Sequence, residues 1–340
     1  MAGRRLALGA ICALLGLGAE ALGLPAAFLV AGLAVGVAAA LGPLRAPTAP
    51  AGLLTAGEAL IGVTVGAVLR PEAIAGLADV WSAAGAVILG TLVLSVIAGL
   101  GLASRSRLDR PTAVLGLIPG GAPGAIAVSR AGEADSRVVS FMQFGRVFAI
   151  VATVPFIALA LPGGGAAGSP ALVGPASPSA TGLGVCLTAA ALGVPLARRL
   201  RIPAGVLIGP LVLGALAAAA GLPATPPAAL QQAAFAAVGL GVGLSFDRDA
   251  VRLIGGALRP ILVAIVAVLV GCAALGLLLA VPLGVDPLSA YLATTPGGLS
   301  AVLATAQSTG ADLSLVFGLQ SIRLVITVAA APLAARLVAR

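Results

Sequence analysis

The chain has 340 residues, 60% of them hydrophobic and 9% charged, with a net charge of +8. A soluble domain carries about 25% charged residues, so this chain cannot cover itself in water and must count lipid as part of its solvent. That excludes a soluble enzyme and predicts an all-α polytopic membrane protein. All 19 basic residues are arginines, scattered singly and in pairs between apolar spans. They read as loop retention rather than as a nucleic-acid surface.

Taken in chain order, the first element opens on Arg4 and Arg5 and runs over about 6–22. It resembles a signal peptide, but residues 180–197 fill the equivalent place later in the chain, so a retained helix is expected. Further apolar spans cover 24–42, 52–69, which carries Glu58, and 80–103. A segment over 112–130 is interrupted by Pro119, Gly120 and Gly121, and a span over 137–161 holds Gln143 and Arg146. The stretch 162–179, rich in Gly, Pro and Ser, reads as a flexible linker.

The series then repeats over 180–340. Spans are expected at 180–197, 203–221, 228–246 and 257–283, then a segment at 289–308 broken by Pro296, Gly297 and Gly298, then a span at 313–335 with Gln320 and Arg323. At a shift of 177, twelve of the 37 positions from 119 to 155 are identical without a gap. They include the Pro-Gly-Gly triplet, Asp135 on Asp312, Gln143 on Gln320, Arg146 on Arg323 and Pro155 on Pro332. Upstream, GLPAAFLVAGLAVG (23–36) matches RIPAGVLIGPLVLG (201–214) at a shift of 178. Residues 1–161 and 180–340 are therefore two copies of one unit.

The arginines favour an inverted relation between the copies. If every segment crosses, eight arginines face the cytoplasm and nine face out. If each Pro-Gly-Gly segment enters and leaves on one side, sixteen lie inside and only Arg70 outside, with Arg146 and Arg323 within the membrane. The second distribution obeys the positive-inside rule, provided every other span crosses. It puts the N-terminus in the cytoplasm.

Each Pro-Gly-Gly frees backbone groups at membrane depth, where lipid cannot satisfy them. A matched pair of such breaks points to a transporter's binding site, while a single one reads as a tight helix crossing. Arg146 and Arg323 sit near mid-membrane, where a charge costs about 3 kcal/mol or more, and Gln143 and Gln320 share their helix faces. Two roles are open for these pairs: contact with an anionic substrate, or capping of the carbonyls exposed at the breaks. Glu58, whose counterpart is Phe235, fits either a coupling proton or an ion pair. Asp135 and Asp312 fit helix N-caps. Ser129, Thr294, Thr295 and Ser300 add hydroxyls beside the breaks. With no histidine, and Cys12, Cys186 and Cys272 isolated in apolar segments, no metal site and no cofactor is expected.

The pattern PGG, then (G/E)AD, then QxxR, then Pro, present in each half, resembles the AbrB family of bacterial multipass membrane proteins. That family is also labelled ammonia monooxygenase, and its name is shared with an unrelated soluble DNA-binding regulator. The resemblance covers essentially the whole chain. It implies an inner-membrane protein with an internal duplication and an association with regulation of gene expression. More distantly, two inverted halves with Gly-rich broken segments are similar to glutamate and citrate sodium symporters. The stretches LPAAFLVAGLAVG and GLGVGLSFD are similar to those of cation/proton antiporters. A monooxygenase is rejected, because the chain lacks the residues to hold copper or iron. Two functions remain: a secondary transporter of a small anionic solute, with its site at the two broken helices, or a membrane regulator that acts indirectly on transcription. The partners expected are lipid, a small-molecule or ion substrate and a second copy of the chain, with no direct nucleic acid.

Overall fold

A computed structural model of the chain describes residues 2–24, 26–42, 51–68, 81–119, 125, 128–129, 134–160, 180–202, 204–224, 226–246 and 254–339. Among these, regular structure is entirely helical. The first copy contributes α1 (Ala2–Ala21), α2 (Ala27–Leu41), α3 (Ala51–Val68), α4 (Trp81–Arg105), α5 (Arg110–Leu117) and α6 (Ser136–Ala160). The second contributes α7 (Ala180–Arg199), α8 (Gly205–Ala219), α9 (Ala228–Leu244), α10 (Leu258–Leu283), α11 (Pro287–Thr294), α12 (Leu299–Thr309) and α13 (Leu313–Ala339). Apart from α12, each second-copy helix starts 177 or 178 residues after its first-copy equivalent. The linker 162–179 lies outside the described residues.

The chain is a polytopic helical membrane protein. Four described segments are long and apolar enough to cross a bilayer: Gly85–Arg105, Ser136–Leu159, Ala180–Arg199 and Gly255–Leu278. On α4 the residues Leu89, Val93, Ile97 and Leu100 form an exposed apolar stripe at helical spacing. In water such a stripe would be a liability; against acyl chains it is the solvated surface.

The chain packs into two compact units, and each draws equivalent helices from both copies. Unit 1 comprises residues 1–74, 151–244 and 300–314, which include α1, α2, α3, α7, α8 and α9. Inside it α2 packs on α9, and its counterpart α8 packs on α3. Glycines make these crossings possible. A Cβ at Gly32 would lie 2.3 Å from Ala236 O, and one at Gly239 would lie 2.0 Å from Leu29 O. The symmetric crossing repeats this: Gly62 against Leu207 O at 2.3 Å and Gly214 against Val63 O at 2.5 Å. Small residues four apart let backbones touch where no hydrophobic effect drives helices together.

Unit 2 comprises residues 75–150, 245–299 and 315–340. Within it α4 packs on α10, α5 packs on α4, and α11 packs on α10. Gly99 of α4 lies against Val114, with an added Cβ 2.7 Å from its Cα; the equivalent Gly276 of α10 would meet Ala290 O at 2.8 Å. These glycines seat the short helices α5 and α11 against the long ones, and so position the chain breaks.

Candidate functional site

Both short helices are built alike. Asp109 caps α5 by accepting from Thr112 N at 2.7 Å, and Asp286 caps α11 by accepting from Ser289 N at 2.8 Å. A proline in the first turn of each helix presets its backbone. At the far ends, Ile118 and Thr295 are extended, with ψ of 128° and 134°. Each precedes a proline, whose ring disfavours the α conformation one residue earlier. Both helices therefore stop one residue short of that position, at Leu117 and Thr294.

Stopping there leaves carbonyls without donors. Leu115 O and Leu292 O would ordinarily accept from the residue four on, but those residues are Pro119 and Pro296, which have no N–H. The glutamine side chains replace the missing donors. Gln143 Nε2 donates to Leu115 O at 2.8 Å and to Ile118 O at 2.9 Å. Gln320 Nε2 donates to Leu292 O at 2.7 Å and to Thr295 O at 2.9 Å.

The arginines take the next carbonyls. Arg146 donates from one terminal nitrogen to Leu117 O at 2.6 Å and from the other to Gln143 Oε1 at 2.7 Å. Arg323 donates to Thr294 O at 2.8 Å, to Thr295 O at 2.9 Å and to Gln320 Oε1. The capping role considered for these pairs is thus made in both copies. Positive charge at a helix C-terminus also meets the negative end of the helix dipole.

Capping does not account for everything the arginines carry. Arg146 and Arg323 are 1% and 3% exposed, and no carboxylate meets either among the described residues. The Nε–H of each is buried without a hydrogen-bond partner, as is Thr295 Oγ1. Cys272 of α10 lies within electrostatic range of both guanidiniums, so two cations with no carboxylate partner among the described residues share one region of unit 2. Such charge is costly unless neutralised, and an anion is the chemical complement.

The remaining candidates fall as follows. Pro119 and Pro296 are buried, Gly297 and Gly298 are half-buried, and Gly120 and Gly121 lie outside the described residues. Gln143, Arg146, Pro296, Gly297, Gly298, Gln320 and Arg323 are all in unit 2, whereas Glu58 is in unit 1. Glu58 Oε1 accepts from Ser300 Oγ at 3.3 Å, and among the described residues no arginine pairs with it. Thr294 Oγ1 is held by carbonyls, including Cys272 O at 3.0 Å. Asp135 and Asp312 cap α6 and α13 as expected, accepting from Arg137 N and Ser314 N at 2.9 Å each. Asp109 and Asp286 are not among the sequence candidates, although an Asp one or two residues before a Pro at the head of an apolar run is a signal for such a cap. No cluster of three or more metal-ligating side chains occurs among the described residues.

A family model described as "Transition state regulatory protein AbrB" matches residues 43–339. The chain is 30% identical to "Putative regulator AbrB" of Escherichia coli (strain K12) over 329 residues, 96% of this chain and 93% of that protein. It is 26% identical to "Uncharacterized protein YhjN" of Bacillus subtilis (strain 168) over 106 residues, 31% of this chain and 28% of that protein.

Proposed function

The chain belongs to the AbrB family, and from that premise we propose that it is a secondary transporter of a small anionic solute. The site is in unit 2, beside the C-terminal ends of α5 and α11, and the chain is not an enzyme. One observation carries this reading: two buried guanidiniums, each with an unpartnered Nε–H and no carboxylate among the described residues, stand at matching broken helices. A purely structural cap needs no net charge, since Gln alone can supply amide donors to carbonyls. Two cations at membrane depth with no carboxylate among the described residues are retained at a cost of several kcal/mol, and a transported anion would relieve it each time it binds. Discontinuous helices in paired copies are the recurrent framework for such sites.

The sixteen-to-one distribution of arginines supports inverted copies in a bacterial inner membrane with the N-terminus inside. Alternating access would then follow from exchange between two equivalent arrangements, and a second copy of the chain is a natural partner. A regulatory role is the second reading, favoured by the name of the Escherichia coli relative. It is compatible with transport, because moving a metabolite changes its level in the cell and so can act on transcription at a distance.

The test is uptake by proteoliposomes holding the purified chain. Radiolabelled phosphate, lactate and succinate are offered in turn, with and without an imposed pH gradient. Accumulation of at least one anion above that in protein-free vesicles is the expected result. No accumulation of any of the three under either condition sinks the proposal in favour of the regulatory reading. The inverted arrangement has its own check, a cysteine placed at Ser169 of a chain without native cysteines. An impermeant maleimide should label it in intact cells; labelling only after permeabilisation means parallel copies.

A further inference from the structure

Glu58 is half-buried in α3, and its one hydrogen bond among the described residues comes from Ser300 Oγ at 3.3 Å, long for a hydroxyl on a carboxylate. A second polar contact lies further along the same two helices, where Thr64 Oγ1 is 3.5 Å from Gln307 Oε1. Both numbers rise together, so α3 and α12 run in the same direction along the contact. Ser300 is the second residue of α12 and follows Gly298 of the break by two positions. A carboxylate bonded to a first-turn side chain lies at the end of α12 where the amides lack intrahelical acceptors and the helix dipole is positive.

The four residues of this contact have no equivalents in the other copy. At a shift of 177, Glu58 falls on Phe235, Thr64 on Gly241, Ser300 on Pro123 and Gln307 on Arg130. Neither a phenyl ring nor a proline can form the Glu58–Ser300 bond. The paired Gln and Arg caps are kept in both copies, so they belong to the shared architecture, whereas this contact does not. Among the described residues nothing nearby fixes the charge on Glu58. Besides α12, α3 packs on α7, α8 and α9. Of these four helices α8, α9 and α12 carry no ionisable side chain, and α7 carries buried Cys186 with exposed Arg198 and Arg199 at its end.

We propose that Glu58 is a proton-binding site whose charge state sets the hold of α3 on the first turn of α12. As an ionised carboxylate it accepts from Ser300 and stabilises the start of α12. On taking a proton from water it loses the charge-assisted part of that bond and its attraction to the helix terminus, and the first turn loosens beside the chain break. The step is an acid–base exchange between water and a Glu58 oxygen. Its place in a transport cycle, as the proton that accompanies the anion, rests on the function proposed above.

The test needs no transported solute. Amide hydrogen exchange over residues 299–309 is followed in the full chain in lipid nanodiscs, from acidic to alkaline pH. At each pH the wild-type rate is divided by that of Glu58→Gln, which cancels the intrinsic chemistry of exchange. On the alkaline side the wild type should exchange about tenfold more slowly, the difference between a charged and a neutral hydrogen bond, and the ratio should approach one on acidification. Ser300→Ala should remove the dependence, and Glu58→Asp should preserve a pH-dependent ratio, which serves if Glu58→Gln does not fold. A ratio constant across the pH range overturns the proposal, as does an unchanged profile in Ser300→Ala. If no anion is transported in proteoliposomes but the ratio titrates, transport fails and the proton site stands. If anions are transported with a flat ratio, only the proton site fails.

Discussion

The two Gln-Arg caps look equivalent in sequence but are not equally redundant, and that makes an asymmetric prediction. In the second copy Arg323 keeps two carbonyl bonds, to Thr294 O and Thr295 O, if Gln320 is lost. Gln320→Leu therefore orphans only Leu292 O, because Thr295 O still accepts from Arg323. In the first copy Arg146 keeps a single bond, to Leu117 O. Gln143→Leu orphans both Leu115 O and Ile118 O and strips a buried cation of its second acceptor. Taking about 1 kcal/mol for each neutral bond in a membrane interior and about 2 kcal/mol for the charged one, Gln143→Leu costs about 4 kcal/mol. Gln320→Leu loses the Leu292 O bond and the charged bond from Arg323 but keeps Thr295 O satisfied, so it costs about 3 kcal/mol on the same scale.

Cys272 offers the assay. It is buried in unit 2, so in a chain carrying Cys12→Ala and Cys186→Ala a thiol-reactive fluorophore reports the opening of this unit on heating. At roughly 2–4 °C per kcal/mol, Gln143→Leu should lower the transition by about 8–16 °C and Gln320→Leu by about 6–12 °C. Adding Arg146→Leu to Gln143→Leu should restore part of the loss, because removing an unpaired buried charge relieves its desolvation penalty. Equal shifts for the two glutamine variants would refute the bond accounting. A further loss on adding Arg146→Leu would refute the claim that the guanidinium is held at a cost.

Four further outcomes follow from local structure. The first three lie in unit 1 and are read by the same thermal assay with buried Cys186 kept as the reporter in place of Cys272. The last lies in unit 2 and is read at Cys272. Gly239→Ala should destabilise by about 2 kcal/mol or more, since its Cβ would fall 2.0 Å from Leu29 O and backbone cannot yield as a side chain can. Gly184→Ala, in mid-helix with nothing within 4 Å, should instead stabilise by about 0.5–1 kcal/mol. Arg201 closes α7 with φ of 54°, where the first copy has Gly23 at 72°, so Arg201→Gly should gain about 1 kcal/mol and Gly23→Ala lose a similar amount. Thr112→Val should cost about 1–3 kcal/mol, because the buried hydroxyl accepts from Asp135 N at 2.8 Å and donates to Asp109 Oδ2 at 2.7 Å.

The helices and the duplication were readable because hydrophobic spans and Pro-Gly-Gly punctuation are local signals. The expected spans agree with the helices to within a few residues, and the 177-residue shift recurs in the helix starts. What the sequence could not show is that the copies interlock. Nothing local in GLAVG (32–36) says that it meets GLGVG (239–243) of the other copy rather than a helix of its own. The use of the Q-x-x-R face was half-readable: a proline that removes a donor announces an orphan carbonyl four residues earlier. Which side chain answers that carbonyl depends on how α6 and α13 lie against α5 and α11, and no spacing within one segment encodes that. Ser300 was a weak candidate for the same reason, since its partner lies 242 residues away.

The two kinds of polar group in this chain differ in what duplication has done to them. Gln143, Arg146, Gln320 and Arg323 sit at matching positions and repair matching breaks, so any exchange of roles between the copies leaves the caps intact. Glu58 and Ser300 exist once. A device that must favour one state over its mirror image cannot be built from symmetric parts alone, because equivalent copies make the two states equal in energy. An asymmetric titratable contact at the start of α12 is sufficient to bias that balance: protonation shifts the energy of one arrangement by the worth of a charged bond, about 1–3 kcal/mol, and leaves the other untouched. That difference would change a two-state population by roughly ten- to a hundredfold, which, under the transport and proton binding proposed above, is enough to couple the exchange to a proton while both caps hold the broken helices in place.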